Sequence, residues 1–520
     1  MGRVCLRALT ASSPRAWQPE RVAGFNSQKT KRDIVAMNQK INLCVLIGFL
    51  AVFSNTSFAQ DLGCNAEVEL DGGVVEVAAS SSGDDTENIQ CALNAAVEGG
   101  YREVYLTSKK YAISGVEVAN FVGDFRGNSI ATTEVTVTNG ALDCEAQRAA
   151  LRFNRGSPKV TRMTLKIDEP CSTAGGNASV IGFYTNPSKC SQRVVTGFVE
   201  RVFIEGGGAS SIDFTTGVTI DAAPECFPAD TSEALPLSSK ALGGLRVNRC
   251  EIRDLDMGIF ASVSDGGQVD ITSNSKSGAG AAFERLGIPI SIVDANQNTN
   301  IFRNEIAFND VEYSGGLAGL FCTTGIYIAS TSAAPSSNKT AISKDTFRDG
   351  GVHAEGYGLL TGKSGKNLTH EMVLSGNTFN GSDGNTSGAG VAVLDTSDGL
   401  ISGNSFKGNA ATWISLASGD TDLGQLGSAV AGWAIVSNTF SSSTATTDIT
   451  LDSNTEDNVV GRSQNSPVVD DAGSNDVLGD STSASRSFGG ASIVVGPKAL
   501  FGSQLEAING RDVSLRKLGQ

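Results

Sequence analysis

The stretch Ser82–Gly115, SGDDTENIQCALNAAVEGGYREVYLTSKKYAISG, decides the fold. Asp84 or Asp85 is suited to the start of a helix, because a carboxylate there accepts unpaired backbone N–H groups and complements the helix dipole. Ile89, Ala92, Leu93 and Ala96 follow at i, i+3, i+4 and i+7, which makes one apolar stripe. Gly99 and Gly100 end the helix, and Val104-Tyr105-Leu106 and Tyr111-Ala112-Ile113 read as short strands. The order is a short helix followed by β structure.

This segment resembles the N-terminal signature of the pectate-lyase-like superfamily. There an Asp-Asp-Thr start, an Ile-Gln-x-Ala-Leu helix, a Gly-Gly turn and a Val-Tyr-Leu strand precede the coils of a right-handed parallel β-helix. The resemblance implies an all-β solenoid with a short N-terminal capping helix, and a structural role for Asp84 and Asp85. The polygalacturonase branch carries Asn-Thr-Asp, Asp-Asp, Gly-His-Gly and Arg-x-Lys motifs in order. Here Gly351-Val352-His353-Ala354 echoes only the third, so that activity is not implied.

Outward from this segment, a template of apolar residue, two residues, turn position, one residue, apolar residue recurs eight times. It is met by Val160/Met163/Leu165, Val199/Val202/Ile204, Val247/Cys250/Ile252, Ile301/Asn304/Ile306, Ile342/Asp345/Phe347, Leu374/Asn377/Phe379, Ile401/Asn404/Phe406 and Ile435/Asn438/Phe440. The last positions step by 39, 48, 54, 41, 32, 27 and 34 residues, so coil length varies and loops project from several coils. Asn at the turn suits a left-handed or tightly bent backbone, and stacked Asn side chains can bond from coil to coil. A coil cannot stand alone, so both ends of the stack need covers. The helix covers one end, and the segment 481–520 is expected to cover or flank the other. The expected organisation is a leader at 1–59, a strand and capping-helix region at 60–125, coils at 126–480 and a terminal cap or tail at 481–520.

Composition agrees with an exported β protein. Of 520 residues 61 are Gly and 12 Pro, and 40% are hydrophobic. Asn38-Gln39-Lys40, an apolar run from Ile41 to Phe53 and Ser57-Phe58-Ala59 have the layout of a secretory signal peptide. The run is shorter than a membrane span, and Met37 is the expected true start. Without residues 1–59 the chain keeps 32 basic and 53 acidic residues, a net charge of −21 against −15 for the whole. Nothing in that balance invites nucleic acid. It also makes a polyuronate an awkward partner unless a cation or a local basic patch intervenes, which favours neutral or Ca²⁺-bridged glycans. Eight cysteines remain beyond the leader and no C-x-x-C pair occurs, which favours disulfides over zinc. The pairs 64/91 and 144/171 are each 27 apart, close to one coil.

A β-helix offers columns of outward side chains to extended polymers, and those just after the turn position are the first candidates. There Asp310, Glu312, His353 and Glu355 are the expected catalytic groups, as paired carboxylates for glycoside hydrolysis or as an acid–base set. Arg348 or Lys344 is the nearest base for an elimination. Asp256 and Arg348 are expected to bind substrate, with Trp413, placed outward by strand alternation, as a sugar platform; Trp433 has core parity. Asp254 and Asp310 could hold Ca²⁺. The expected function is a secreted protein acting on or binding an extracellular polysaccharide, as a polysaccharide lyase or glycoside hydrolase. The alternative is a non-catalytic surface or adhesive β-helix protein.

Overall fold

The computed structural model describes residues 62–138, 149–168, 178–184, 194–206, 215–221, 242–262, 268–276, 281–293, 299–307, 324–330, 339–348, 351–356, 368–381, 389–410, 412–419, 429–442, 447–465, 467–477, 484–488, 491–495, 504–508 and 512–516. The leader and signal-peptide reading fall outside them.

The chain opens with an antiparallel hairpin, Val68–Asp71 against Val74–Val77, and from there the strands pair in parallel as far as Ser474–Val477. Every coil visits the same three sheets in the same order, which is a right-handed parallel β-helix. The first sheet stacks Val75, Val104, Phe125, Val160, Val199, Val247, Ile271, Ile301, Ile342, Leu374, Ile401 and Ile435 in register. The second stacks Val135, Leu165, Ile204, Ile252, Phe283, Ile306, Phe347, Phe379, Phe406 and Phe440. The third runs from Val116 through Leu151, Ile181, Val218, Ile259, Ile290, Ile326, Val352, Val391 and Ile414 to Ile449.

These stacked side chains are buried and form one continuous core. Each fully buried Val, Leu, Ile or Phe is worth about 1.5–3 kcal/mol, so the rod is held mainly by like residues repeating on one face of each coil. In the second sheet the rings of Phe347, Phe379, Phe406 and Phe440 stack at centroid separations of 4.7 to 5.0 Å. That matches the rise of one coil.

All eight template copies lie on the corner between the first and second sheets. The step of 54 from Ile252 to Ile306 contains a further coil, through Ile271, Asn274 and Phe283, giving steps of 31 and 23. The template misses it because residues 275–282 intervene between Asn274 and Phe283. The left-handed residue at this corner is the one before the turn position, not the Asn itself. Arg162, Arg201, Arg249, Ser273, Arg303, Lys344, Gly376, Gly403 and Ser437 all have positive φ. That frees the next residue to turn inward, where Asn274, Asn304, Asp345, Asn377, Asn404 and Asn438 form a buried ladder. Asn404, for example, accepts from the backbone N–H and Nδ2 of Asn377 at 2.9 and 3.0 Å, and its Nδ2 donates to Leu374 O and Asn438 Oδ1, each at 3.0 Å.

The helix Thr86–Gly99 buries Asn88, Ile89, Ala92, Leu93, Ala95 and Ala96 and joins the same core as Val75 and Val104, as expected of a cover. Asp85 holds the cap position, yet its carboxylate does not bond the helix. It accepts from the backbone N–H of Ser80 and of Ala112, tying the helix start to the coil beneath. Asp84 accepts from Thr86 N and Oγ1 at 3.0 and 2.6 Å. Both carboxylates are structural. Cys64 and Cys91 are joined, whereas Cys144 and Cys171 lie outside the described residues. Cys250 is a free, buried thiol at the turn position of its coil, its pKa pushed up to about 12 by burial, so it packs as an apolar group. Ala484–Phe488 pairs with Ala491–Val495, and Gln504–Ile508 with Asp512–Arg516, as two antiparallel hairpins.

Candidate functional site

The third sheet carries a row of polar and aromatic residues at the positions between its inward ones. Read coil by coil, the row is Glu117, Arg152, Gly182, Thr219, Phe260, Ser291, Tyr327, His353, Ala392, Ser415 and Thr450. Strands Ala149–Asn154 and Ala178–Tyr184 are buried on both faces, so the early part of the row is desolvated. Arg152 is 3% exposed. Its Nε donates to Asn154 Oδ1 at 3.2 Å and lies 3.8 Å from Glu117 Oε1, and Asn154 Nδ2 donates to Glu117. The guanidinium sits 5.0 Å from the centroid of the Tyr184 ring.

Gly182 makes that arrangement fit. A Cβ there would meet the Tyr184 ring at 2.1 Å, so only glycine lets the ring fold back along its own strand. The Tyr184 hydroxyl reaches Ser179 Oγ at 3.0 Å, and Ser179 donates to Thr219 Oγ1 at 2.9 Å. Burial strengthens each of these contacts, because little water screens them.

Burial varies along the row, with Glu117 exposed at its start and Phe260 half-buried in its middle. Thr219, Ser291 and Tyr327 are buried, whereas Ala392, Ser415 and Thr450 are half-buried and small. His353 occupies the register position between buried Tyr327 and half-buried Ala392. Glu355 follows on the same strand in register with Ala329 and Leu394. Asp310 and Glu312 lie outside the described residues.

Several expected site residues take other places. Trp413 is in the core, 3% exposed, tilted against Phe406 at 5.5 Å and packed on Gly390, whose missing side chain leaves the room. The alternation that would turn Trp413 outward breaks here, since Asp448 O accepts from both Trp413 N and Ile414 N and both side chains go inward. Trp433 is fully buried, with Nε1 donating to Thr396 O at 2.9 Å.

Asp254 turns the corner between the second and third sheets in a left-handed conformation, directly below Arg285, also left-handed. Arg285 Nε and Nη2 hold both Asp254 carboxylate oxygens, each at 2.5 Å. The bidentate ion pair uses the oxygens a cation would need, so Asp254 does not fit a Ca²⁺ ligand. Among the described residues no group of three or more His, Cys, Asp or Glu is placed to hold a metal ion. Asp256 is 8% exposed, buried rather than open to a substrate. Arg348 is exposed on the second sheet beside Ala307 and Asn380, and Lys344 is at the first corner, away from the third sheet.

Sequence reasoning missed Arg152 and Tyr184. The available signal was a charged residue inside Ala149-Ala150-Leu151-Arg152-Phe153, an otherwise apolar strand, where an arginine must find partners to be buried.

No family model matches the chain, and no curated protein matches it. Among solved structures it is similar to the A-module of the Azotobacter vinelandii mannuronan C-5 epimerase AlgE4, at 15% identity and a TM-score of 0.48, over 76% of this chain and 94% of that one. The A-module of the epimerase AlgE6 from the same organism gives 14% and 0.43, over 76% and 92%. The Dettilon tailspike protein gives 16% and 0.36, over 79% and 72%. The fold itself rests on the strand pairing described above, which defines a right-handed parallel β-helix with a helix-covered first coil.

Proposed function

We propose that the protein is exported and acts on an extracellular polysaccharide along the outer row of the third sheet. The observation that carries this is the register position of His353, between the buried rung of Tyr327 and a half-buried row of small residues, Ala392, Ser415 and Thr450, in line along the rod. A polymer laid along Thr450, Ser415 and Ala392 runs toward the rungs of His353 and Tyr327, which are one coil apart, about 4.8 Å. From neighbouring rungs of one row, a histidine can take a proton from the sugar while a tyrosine returns one to it, or the reverse. That division of labour serves proton abstraction beside a uronate carboxylate, or leaving-group protonation in hydrolysis. Asp310, Glu312 and Glu355 are the carboxylates proposed to complete the set, and the Cys64–Cys91 disulfide suits an oxidising compartment.

The burial of Arg152, Ser179 and Tyr184 favours a second reading, in which these residues only stiffen the rod of a non-catalytic adhesive protein. Incubating the mature protein with pectic, alginate and neutral glycans, with and without chelator, separates the two. New reducing ends mean hydrolysis, and an unsaturated ultraviolet-absorbing product means elimination. His353→Ala and Tyr327→Phe are each expected to lower turnover by about 10²–10⁴-fold. Unchanged turnover in both variants removes this site, and glycan binding without any product supports the adhesive reading.

A further inference from the structure

The corner between the first and second sheets carries a second surface, on a different part of the coil. Its left-handed residues stack rung on rung. The residues just before them, Thr161, Glu200, Asn248, Thr272, Phe302 and Ser343, are register partners in successive coils. The backbone N–H groups of Ser273, Arg303 and Lys344 each bond to the carbonyl preceding the next left-handed residue. Over six consecutive coils this position reads Arg162, Arg201, Arg249, Ser273, Arg303 and Lys344, with φ between 54° and 59°. Five of the six are cations.

A left-handed backbone disfavours any residue with a Cβ and is adopted freely by glycine. The chain does use glycine there in the coils that follow, at Gly376 and Gly403. Arg or Lys in five earlier coils is therefore not what the turn asks for. All five side chains are exposed, and among the described residues none of them has an ion-pair partner. The nearest acids along the chain are Glu200, Glu251, Glu305 and Asp345; Glu200 is directed to Lys159 at 3.7 Å, and Asp345 is buried in the ladder with Asn304. Arg303 and Lys344 lie 4.7 and 5.5 Å from the centroid of the Phe302 ring, which places an aromatic face within the cationic column. Phe198, between Lys159 and Arg246 at 5.0 and 5.8 Å, repeats the arrangement on the adjoining sheet face.

We infer that this column is a binding track for an anionic polysaccharide, a polyuronate, laid along the rod axis. With one coil every 4.8 Å or so, the five cations span about 24 Å, and their spacing is close to the length of one sugar residue in an extended glycan. Half-buried aromatic faces beside the charges suit sugar rings. The track is the local basic patch that an acidic protein needs to take a polyuronate. Duplex DNA fits less well: over the same span it presents roughly 14 phosphates to five cations on a chain of net charge −15. The inference does not use His353 and stands apart from the third-sheet reading.

Left-handed positions accept Asn readily, so the variant Arg162→Asn, Arg201→Asn, Arg249→Asn, Arg303→Asn and Lys344→Asn removes the charges while keeping the fold. Binding of the mature protein to polygalacturonate, to dextran and to a single-stranded oligodeoxynucleotide is measured by affinity electrophoresis across 50–200 mM NaCl. The wild-type protein is expected to bind polygalacturonate and not dextran, its affinity falling roughly a hundredfold over that salt range if all five contacts form. The Asn variant is expected to lose the binding and the salt dependence with a melting temperature no lower than that of the wild type. Replacing the four arginines by Lys keeps both, and Ser273→Arg, which fills the gap, tightens binding. Equal retention of the Asn variant, no binding by the wild type at 50 mM salt, or tighter binding of the oligonucleotide each overturns the proposal. Turnover lost in the glycan panel while salt-dependent binding persists, or the reverse, shows which of the two sites has failed.

Discussion

The corner between the first and second sheets is built in two ways along one rod. In the coils through Met163, Val202 and Cys250 the inward turn residue is apolar and the left-handed residue before it is Arg. In the coils through Asn377 and Asn404 the inward residue is Asn, bonded above and below, and the left-handed residue is Gly. The backbone path is the same and only the side chains differ. The turn geometry is thus set by the φ of one residue and by the pairing of the flanking strands. What fills the corner is free to be grease or a hydrogen-bonded polymer, provided every buried polar group finds its partner.

The largest test of that equivalence is Asn404→Leu. It strands the N–H and Nδ2 of Asn377 and the carbonyl of Leu374 in the core, at about 1–3 kcal/mol each, so urea unfolding is expected to show a loss of about 4 kcal/mol or more. Val202→Ala in the other half is expected to cost about 1–3 kcal/mol, from lost packing alone. If Asn404→Leu is neutral, the ladder does nothing that packing does not.

Asp345 comes next, as the rung where the ladder departs from Asn. It accepts from Asn304 N and Nδ2 at 2.7 and 2.9 Å through Oδ1, while Oδ2 is buried without a hydrogen-bond partner. In the neighbouring rungs an Nδ2 donor occupies that place, so the carboxyl fits the ladder as its protonated form. Burial pushes its pKa up to about 7, against the lowering by the Asn304 bonds. The folded protein therefore binds this proton more tightly than the unfolded chain. The contribution of this group to stability is full below pH 4, falls as pH rises toward 7, and is lost above it. Asp345→Asn is expected to remove this slope and to stabilise the protein at pH 8 by roughly 2–4 kcal/mol. A melting temperature of wild type that stays flat from pH 4 to 8 would sink this reading.

The smallest effect concerns the left-handed residue itself. Arg201→Gly is expected to gain, and Gly403→Arg to lose, about 1 kcal/mol in thermal or urea unfolding, because a Cβ is disfavoured at positive φ. Nothing lies within 3.8 Å of a Cβ built at Gly403, so the effect there is conformational rather than steric. Opposite signs for the two changes sharpen the comparison, and equal signs break it.

Much of the rod was legible because the interior repeats. Leu165, Ile204, Ile252, Ile306 and the four Phe residues that follow stand in one column, as the template placed them, and the helix stripe from Ile89 to Ala96 is the buried face. The coil through Phe283 was hidden, because a template of fixed spacing cannot see past an insertion. The site was far less legible. Asp254 and Asp256 are acids near a turn in sequence, but one is clasped by Arg285 from the next coil and the other is buried. Trp413 faces inward because Asp448, from the following coil, draws two consecutive N–H groups.

By itself the sequence determined the winding: apolar residues spaced to one coil, a turn position between them, and a helix ahead of the first coil. Hydrophobic burial reads only which residues recur on the inner face, and that information is local to each coil. Which outward residues share a rung was decided only by the tertiary structure, because register sums every loop length between them. Arg162, Arg201 and Arg249 lie 39 and 48 residues apart along the chain and become neighbours only when the coils stack.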